Sequence, residues 1–419
     1  MAGGHVAEGR AVITRAECEA LDAADPLAPL RAEFSLPEGV VYLDGNSLGA
    51  LPVRTPERVR RTVEAEWGRE LIRSWNDAGW FEQPYRLGGR IAPLVGASAG
   101  EVVVCDTTSV NLFKVLSAAL RLRPGRRTVL GDGAAFPTDL YITEGVAGLF
   151  AGARSVLLSS AGELAERLDG DVAAVVLSHV DYRTGELLDM ARITAQVQAA
   201  GALMIWDVCH SVGALPVELN ACGADLAVGC TYKYLNGGPG SPAFLYVAER
   251  HQAAAEQPLS GWFGHARPFA FEPGYAPTGG IGRFLTSSPS LLGQAALDAA
   301  LDVWEPVDLS AVRTKSLALT DLFVSLVEPL PDVEVVTPRE HARRGSQIAL
   351  RHPDGYPVVQ ALIERGVIGD FRAPDLMRFG FTPLYLSYTE VWDAARRLAE
   401  VLDSGLWREE RFGRRGTVT

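Results

Sequence analysis

Short apolar runs alternate with amphipathic stretches between about residue 100 and residue 300. The runs are EVVVC, RTVLGD, ARSVLL, VAAVVLS, ALMIWD, DLAVGC and PAFLYV. Runs that are apolar on both faces are typical of strands buried in a sheet that helices cover on both sides. Stretches with helical spacing, such as NLFKVLSAALRL, AGELAERL and ITAQVQAA, lie between them. The pattern predicts an α/β fold with a mostly parallel sheet.

The two ends of the chain have a different pattern. VVYLDGNSLGALP predicts a short strand and a glycine-rich turn, and PERVRRTVEAEWGRELIRSW has helical spacing. Beyond about residue 305, a helix over VRTKSLALTDLFVSLVEPL precedes strands near VEVV and SQIALR and a last helix around YTEVWDAARRLAEVLDSG. We therefore expect an N-terminal segment over 1–60, a large domain over 61–305 and a smaller α+β domain over 306–419.

Composition excludes several classes of protein. The 419-residue chain has a net charge of −12 and no Lys/Arg-rich run, so it is a poor candidate for binding nucleic acid or an anionic membrane. No stretch approaches about 18 consecutive apolar residues, and we expect neither a membrane span nor a signal peptide. An odd number of cysteines without CxxC spacing indicates reduced thiols in the cytoplasm and argues against a metal site. The cysteines are Cys18, Cys105, Cys209, Cys222 and Cys230.

Lysine is nearly absent from this chain. Only Lys114, Lys233 and Lys315 are lysines, and the remaining 36 of the 39 basic side chains are arginine. Arginine keeps its proton at useful pH and cannot form an imine, so a lysine retained within CTYKYLNGGPG indicates chemistry that arginine cannot perform. Lys114 and Lys315 lie in helical stretches whose spacing predicts solvated or rim positions.

An acid and a lysine follow two of the predicted strands. Asp207 ends ALMIWD and Lys233 follows DLAVGC, and open α/β sheets bind ligands beyond the carboxyl ends of their strands. This arrangement is typical of sites for pyridoxal 5′-phosphate (PLP), where lysine forms a Schiff base with the aldehyde and the carboxylate keeps the pyridine nitrogen protonated. The alternative is that Lys233 is an ordinary surface lysine.

Three further stretches offer candidate groups for such a site. In VVVCDTTSVNLFKVL, the Thr/Ser cluster precedes a helix and suits a phosphate dianion, although helix capping explains it equally well. GDGAAFPTD lacks the spacing of a dinucleotide motif, but Phe136 and Asp139 there suit a flat ring and a nearby carboxylate. Arg378, after a predicted strand, is a candidate partner for the carboxylate of an amino-acid substrate.

Seven motifs together carry a resemblance. They are YLDGNSLGALP, TTSVNL, AFPTD, DVCHSVGA, YKYLNGGPG, GWFGH and MRFGFTPLY. In this order they resemble the kynureninases, PLP enzymes of the fold type I superfamily, over roughly residues 40–400. The resemblance implies hydrolysis of L-kynurenine or 3-hydroxykynurenine to anthranilate or 3-hydroxyanthranilate and L-alanine. It further implies a role in tryptophan catabolism and NAD biosynthesis and a homodimer with shared active sites.

The resemblance also implies site residues. Lys233, Tyr232 and Asp207 would be catalytic, with Lys233 removing the α-proton and Tyr232 acting as acid or base near the carbonyl. The cofactor would be held by Thr108, Ser109, Phe136, Asp139, Ser178, Asp207, His210, Tyr232, Lys233 and Trp262, and by Ser287 from the neighbouring subunit. The substrate would meet Arg378 at its α-carboxylate, with Asn46 and Ser47 nearby, and Trp67 and Phe263 at its aryl ring. Structural roles stay open for Tyr232, His210 and His265.

Alternatives to this function remain within the same fold. The loop GGIGRFLTSSPSLLG, with its small hydroxyl residues, leaves the preferred ring substituent open and admits a homologue specialised for a substituted kynurenine in secondary metabolism. A class V aminotransferase would share Asp207 and Lys233 but would not need GNSLG or GWFGH. A cysteine desulfurase needs a cysteine after the lysine, and all five cysteines precede Lys233. A non-catalytic PLP-binding protein would be expected to lose Lys233 or Arg378.

Overall fold

The computed structural model describes residues 13–416. The α-helices are α1 (Arg15–Ala23), α2 (Thr55–Arg61), α3 (Ser74–Asp77), α4 (Gln83–Ile91), α5 (Thr108–Leu122), α6 (Pro137–Leu149), α7 (Leu164–Arg167), α8 (Met190–Ala199), α9 (Glu249–Gln252), α10 (Leu291–Asp302), α11 (Leu309–Val327), α12 (Gly355–Glu364) and α13 (Tyr388–Ser404). The strands are β1 (Phe34–Ser35), β2 (Val41–Tyr42), β3 (Leu51–Pro52), β4 (Val102–Val104), β5 (Thr128–Asp132), β6 (Arg154–Leu158), β7 (Val172–Ser178), β8 (Leu203–Asp207), β9 (Leu226–Gly229), β10 (Phe244–Val247), β11 (Glu334–Val335), β12 (Gln347–Arg351), β13 (Val367–Ile368), β14 (Asp370–Arg372) and β15 (Leu376–Gly380). Short 3₁₀ turns connect several of these elements, and within residues 13–416 no helix has both the length and the apolar character needed to cross a membrane.

The seven predicted strands form one sheet. Its order is β4-β10-β9-β8-β7-β5-β6, and β10 runs in the opposite direction to the other six strands. Alternate residues of β7 bury into different layers: Val175 and Leu177 belong to one core cluster, and Ala174 and Val176 to the other. Because successive side chains of a strand point to opposite faces, both faces of this sheet are covered. The predicted α/β fold with a mostly parallel sheet is confirmed.

The last part of the chain forms a second, antiparallel sheet of order β11-β12-β15-β14, which α12 and α13 accompany. The N-terminal segment lies against it, because β2 pairs in parallel with β13 and Asp44 bridges to Gly380. The Gly380 amide also donates to the Leu43 carbonyl at 2.7 Å. The N-terminal turn is thereby fixed to the C-terminal sheet. The division at residues 60 and 305 remains a prediction.

The stretch PERVRRTVEAEWGRELIRSW is helical, as predicted, but its helix is not uniform. After α2 it continues as a π-helix over Thr62–Glu70 and a 3₁₀ turn over Leu71–Arg73. Leu71 has a φ of 57°, in the left-handed region. A π-helix changes the angular position of later side chains, and Trp67 and Ile72 are left 59% and 76% exposed.

The prediction of solvated or rim positions for Lys114 and Lys315 is wrong. Lys114 is fully buried and donates to the Asp106 carboxylate and the Phe284 carbonyl. Lys315 is 5% exposed and donates to the Pro383 carbonyl at 2.6 Å, beside the Asp25 carboxylate. Helical spacing identifies an apolar face, but loops from distant parts of the chain cover the other face of α5 and α11. Each lysine therefore ties such a loop to its helix.

Candidate active site

The carboxyl ends of the parallel strands bring the polar residues together. Ser178 at the end of β7 is paired with Asp207 at the end of β8, and Asp207 is paired in turn with Val228 of β9. Lys233 lies in the turn that follows β9. Since parallel strands end at one edge of a sheet, residues separated by tens of positions in sequence become neighbours.

A pocket of about 110 Å³ opens at this edge. It is lined by Thr108, Ser109, Phe136, Thr138, Asp139, Ser178, Tyr182, Asp207, Cys209, His210, Tyr232 and Lys233. Nine of the residues predicted to contact the cofactor are in this set. The structure therefore brings together most of the predicted cofactor shell, from five separate segments of the chain.

Lys233 is held in this pocket by His210. The Lys233 Nζ lies 2.8 Å from His210 Nε2, and His210 Nδ1 lies 3.2 Å from Gln347 Oε1. Burial, together with the positive charge of Lys233, holds the pKa of His210 well below its usual range. His210 is therefore neutral, and its ring bridges Lys233 to the C-terminal sheet.

Two carboxyl groups face the same lysine. Asp207 Oδ1 accepts a hydrogen bond from the Cys209 amide at 2.7 Å. Asp139, at the start of α6, is 5% exposed, and its Oδ2 has no partner within the described chain. Burial and the neighbouring Asp207 raise the pKa of Asp139 well above its usual range. Lys233, His210, Asp139 and Asp207 are called the lysine cluster below.

The N-terminus of α5 forms one end of the pocket. The Thr107 hydroxyl caps the helix by accepting from the Val110 amide at 3.3 Å. Thr108 and Ser109, the first two residues of α5, line the pocket itself. Because Thr107 does the capping, the following two residues are available to a ligand at a helix N-terminus, where backbone amides favour an anion.

The turn that carries Lys233 packs against the GNSLG motif. The Gly49 amide donates to the Tyr232 carbonyl at 2.8 Å, and a Cβ on Gly49 would lie 2.2 Å from the Lys233 carbonyl oxygen. No other residue type fits there without moving the turn. Asn236 follows in the left-handed region at a φ of 59°, which asparagine tolerates better than most residues. These contacts explain why GNSLG and YKYLN occur in one chain.

For Tyr232 and His265, the sequence left open whether the side chain acts in the site or only holds the fold. Tyr232 lines the pocket, and burial raises the pKa of its hydroxyl, so the phenol keeps its proton. His265 lies elsewhere: its Nδ1 accepts from the Arg267 amide at 2.9 Å, and its ring packs edge-on against Tyr275. These contacts favour a structural role for His265, which holds its own loop in place.

Arg378 lies at the centre of a second charged group. Its Nε donates to Asp370 Oδ1 at 2.7 Å, and Nη2 donates to Asp370 Oδ2 and to Ser47 Oγ, the latter at 3.2 Å. Its Nη1 donates to the Tyr182 carbonyl. Four of the five guanidinium N–H groups are thus used, which leaves one on Nη1.

Asp44 and Arg372 complete this group. Arg372 pairs with Asp370 at 2.8 Å. Burial and the charge of Asp370 raise the pKa of Asp44 to about 7, and Asp44 Oδ1 is buried without a partner in the described chain. The guanidinium of Arg378 lowers the pKa of Asp370 against its burial. Arg378, Arg372, Asp44 and Asp370 are called the arginine cluster below.

Asn46 and Ser47, the predicted substrate residues of GNSLG, lie beside the arginine cluster. Ser47 donates to Asp370 Oδ2 at 2.7 Å. Asn46 is fully buried, and neither its Oδ1 nor its Nδ2 has a partner within residues 13–416. It packs so closely on β15 that a Cβ at Gly380 would lie 2.1 Å from Asn46 Oδ1. A buried amide without partners is a costly arrangement that a polar ligand would relieve.

Four further predicted site residues lie neither in the pocket nor beside the arginine cluster. Trp262 and Phe263 pack in an aromatic group with Trp75, the Trp262 and Phe263 ring centroids being 5.0 Å apart. Trp67 is 59% exposed on the π-helix. Ser287 is also exposed and lines a separate cavity of about 230 Å³. Their roles remain predictions.

Sequence reasoning missed Tyr182, Gln347 and Asp370. Tyr182 follows β7, so the search of strand ends could have found it: its ring meets Phe136 edge-on at 5.3 Å and lies under Arg378. Gln347 and Asp370 gave no comparable signal. Each starts a strand of the C-terminal sheet. Gln347 lies 137 positions from His210, and Asp370 contacts Ser47 of the N-terminal segment as well as the nearby Arg378.

The sequence matches known proteins over nearly its whole length. Residues 312–398 match the family model of the kynureninase C-terminal domain. Over 414 residues, 97% of this chain and the whole of the relative, the chain is 54% identical to a kynureninase from Pseudomonas fluorescens. It is 53% identical, with the same coverage, to a kynureninase from Burkholderia pseudomallei strain 1106a.

The fold is shared with solved structures of lower similarity. One is the cysteine desulfurase CsdA from Escherichia coli, with a TM-score of 0.75 at 19% identity, covering 90% of this chain and 98% of that one. Another is a C-DES variant with glycine covalently linked to its PLP cofactor, with a TM-score of 0.78 at 18% identity, covering 88% and 99%. These structures establish the fold. The identity over the full length of the bacterial relatives shows more: the chain belongs to the kynureninase family.

Proposed function

We propose that this protein uses PLP to hydrolyse L-kynurenine, or its 3-hydroxy form, to anthranilate or 3-hydroxyanthranilate and L-alanine. The observation that carries the proposal is the position of Lys233. In a chain with only three lysines, it alone lies half-buried in a polar pocket at the strand ends, while the other two are buried in ion pairs. An amine in this position can form and exchange a covalent bond with an aldehyde.

The residues of the pocket fit PLP. Asp139 Oδ2 is a buried polar atom with no partner in the described chain, as expected where a polar ligand completes the contacts. Asp207 would hold a proton at the pyridine nitrogen. Thr108 and Ser109, at the N-terminus of α5, would bind the phosphate, and Phe136 would lie on the ring. When bound, PLP supplies a conjugated ring that takes up the electrons released as bonds to the substrate break.

Lys233 would move the proton of the substrate α-carbon. Its Nζ is held 2.8 Å from His210 Nε2, and because His210 is neutral it accepts a hydrogen bond without adding positive charge. Tyr232 keeps its proton through burial and would donate it at the carbonyl oxygen beside the bond that is cleaved. Water would add its hydroxyl to the carbonyl carbon, which becomes the carboxyl group of the aryl product, and a proton would go to the carbon that becomes the methyl group of alanine.

The arginine cluster would bind the α-carboxylate of the substrate. The free N–H on Arg378 Nη1 offers one bond, and the carboxylate would compete with Ser47 for Nη2. Asn46, with both side-chain polar atoms unpartnered in the described chain, would donate a further hydrogen bond. Together these contacts favour an amino acid as the substrate.

We further propose a homodimer that completes the site. Four exposed apolar side chains lie along the π-helix and the turn that follows it, and soluble monomers rarely expose such a stripe. They are Val63, Trp67, Leu71 and Ile72. Because Trp67 and Ser287 were predicted at the site but lie exposed outside the pocket, a second copy is the simplest source of these contacts. Phe263 would line the aryl side with Trp67, and Trp262 would contact the phosphate of the cofactor.

A role in tryptophan catabolism and NAD biosynthesis, in the cytoplasm, belongs to the same proposal. All five cysteines are free and four of them are buried, which suits a reducing compartment. The loop with Thr286, Ser287 and Ser288 leaves the preferred ring substituent to experiment.

The test is an assay with two substrates and two readouts. The purified protein with PLP is given kynurenine and, separately, 3-hydroxykynurenine, and the fluorescent aryl product and alanine are both quantified. Equimolar anthranilate and alanine would support the hydrolase, and the faster substrate would identify the ring preference. An absorption band of the bound cofactor without cleavage of either substrate would contradict the proposal. Amino-group transfer to a keto acid would then identify an aminotransferase, and cleavage of another ring-substituted kynurenine alone would identify a specialised homologue.

A further inference from the structure

Gln347, the first residue of β12, lies behind the lysine cluster and is 1% exposed. Its Nε2 donates to the Tyr182 carbonyl at 3.0 Å and to the Asp181 carbonyl at 3.3 Å. A carbonyl oxygen only accepts hydrogen bonds, so the amide nitrogen of Gln347 must face these two groups. Its Oε1 is therefore the atom that faces His210 Nδ1, at 3.2 Å.

This orientation determines the proton position on His210. An amide oxygen only accepts, so Nδ1 must carry the proton. A neutral imidazole has one N–H, and Nε2 is then left with a lone pair. That lone pair faces Lys233 Nζ at 2.8 Å, where it accepts a hydrogen bond from the ammonium.

The carbonyl groups that orient Gln347 are themselves held in place. Asp181 Oδ1 accepts from the amides of Arg183 at 3.0 Å and of Thr184 at 2.6 Å, which closes the turn after β7. Gly185 completes that turn at a φ of 74°, and a Cβ there would lie 2.9 Å from Gln347 Cγ. The turn and the glutamine thus have little freedom to rearrange.

We propose that Gln347 is a positioning residue: it selects the Nδ1–H tautomer of His210 and so keeps a hydrogen-bond acceptor on the amine of Lys233. The inference rests on the proposed function only in naming Lys233 as the reactive group. Without Gln347, the ring would be free to take the Nε2–H tautomer, which presents a donor to the ammonium and removes its acceptor.

Other titratable groups also face Lys233 and His210. Asp139 and Asp207 face Lys233, together with the Cys209 thiol and the Tyr232 ring, whose centroid is 5.8 Å from Nζ. On the other side, Arg378 and Arg372 act on His210. Substitution of Gln347 changes none of these groups itself, but it removes the contacts of Gln347 with the turn at Asp181 and Tyr182, which also binds Arg378. The test must therefore separate the His210 contact from movement of this turn.

The low lysine content makes a direct test practical. The full-length protein freed of PLP is treated with trace acetic anhydride between pH 6 and 11, and acetylation of Lys233 is quantified by mass spectrometry. Lys114 and Lys315, at 0% and 5% exposure, serve as internal reporters because they react only if the protein opens. Neither cofactor nor substrate is needed, so the result is independent of whether kynurenine is cleaved.

Three variants separate the possible causes. In Gln347→Met, the pH midpoint of Lys233 acetylation should fall by about one unit, so that labelling below the midpoint is about tenfold faster. In Gln347→Glu, both carbonyl contacts are lost, but a carboxyl oxygen still accepts from Nδ1, so the midpoint should stay at or above that of the wild type. Gln252→Met is the matched control, since Gln252 is buried and donates to two backbone carbonyls away from the site.

Two results would overturn the inference. A midpoint unchanged in Gln347→Met would show that the tautomer does not depend on the amide. Equal downward shifts in Gln347→Met and Gln347→Glu would assign the effect to the turn at Asp181 and Tyr182. Should Gln347→Met fail to fold, ¹⁵N-histidine NMR of the wild-type protein decides instead: the ring nitrogen shifts of His210 must report a proton on Nδ1, and a proton on Nε2 would refute the proposal.

Discussion

The lysine cluster and the arginine cluster are built alike but suit different tasks. Each sets two carboxyl groups against two basic side chains, and in each, burial raises the pKa of one carboxyl, Asp139 or Asp44. The bases differ. Lysine and histidine exchange protons within the working range of enzymes, whereas arginine keeps its charge. The first cluster can therefore move a proton, and the second can only hold a negative charge.

The clusters also differ in how the fold assembles them. The lysine cluster lies at the carboxyl ends of parallel strands, while the arginine cluster combines β14, β15 and the turn after β2. Tyr182 joins the two, because its carbonyl accepts from Arg378 and from Gln347. In the proposed function, substrate binding and proton transfer would thus be separated in space but coupled through one backbone turn.

The largest effect is expected from Lys233→Arg, which gives the lysine cluster the chemistry of the arginine cluster. The charge is kept, but arginine cannot form the covalent bond. The rate of product formation should therefore fall by more than about 10³-fold. The melting temperature should change little, because the side chain is only half-buried. Residual activity within tenfold of the wild type would show that Lys233 is not the reactive amine.

Arg378→Lys is the reciprocal change and the next largest. The paired contacts to Asp370 and Ser47 become a single point charge, so KM should rise about 10- to 100-fold, with a smaller change in kcat. Arg372→Lys is the matched control, because Arg372 contacts Asp370 at 2.8 Å and is one-third exposed. Steady-state kinetics of both variants would measure the difference, and equal effects would contradict a special role for Arg378.

Asp44→Asn tests the raised pKa in the arginine cluster. A carboxyl whose pKa is about 7 when folded, against 3.8 for an unperturbed aspartate, binds more protons in the folded state between these values. Its contribution to stability is therefore complete below about pH 4 and is lost as the pH rises through 7. From pH 5 to pH 8 the wild type should lose about 1–3 kcal/mol more unfolding free energy than Asp44→Asn. Urea titrations of both proteins at pH 5 and pH 8 measure this difference in the loss of unfolding free energy. A smaller loss in the wild type than in Asp44→Asn would show that Asp44 is ionised in the folded protein.

Ser47→Ala should have the smallest effect. It removes the 2.7 Å bond to Asp370 and the 3.2 Å contact with Arg378 Nη2, worth about 1 kcal/mol, and frees that N–H for the substrate. KM should change by less than about tenfold with kcat unaffected. A large loss of kcat would instead place Ser47 in the chemical step.

The sequence predicted the parts of the site that follow apolar strands. Asp207 and Lys233 each come at or just after a buried run, and strand ends of a parallel sheet must meet. Ser178, which only the family resemblance implied, also ends such a run. It failed for Lys114, because helical spacing gives no sign that the loop at Phe284 covers the second face of α5. Gln347 was missed for a similar reason, since its contact with His210 spans 137 positions.

By itself the sequence determined the α/β sheet, the single lysine suited to covalent chemistry and the motifs of the family. These are local properties, set by side-chain periodicity and by what an amine can do that a guanidinium cannot. Only the tertiary structure decided which carboxyl group keeps its proton, which nitrogen of His210 faces Lys233 and how Arg378 is already occupied. Those depend on burial and on the distances between groups far apart in the chain, because desolvation and neighbouring charges set the proton positions.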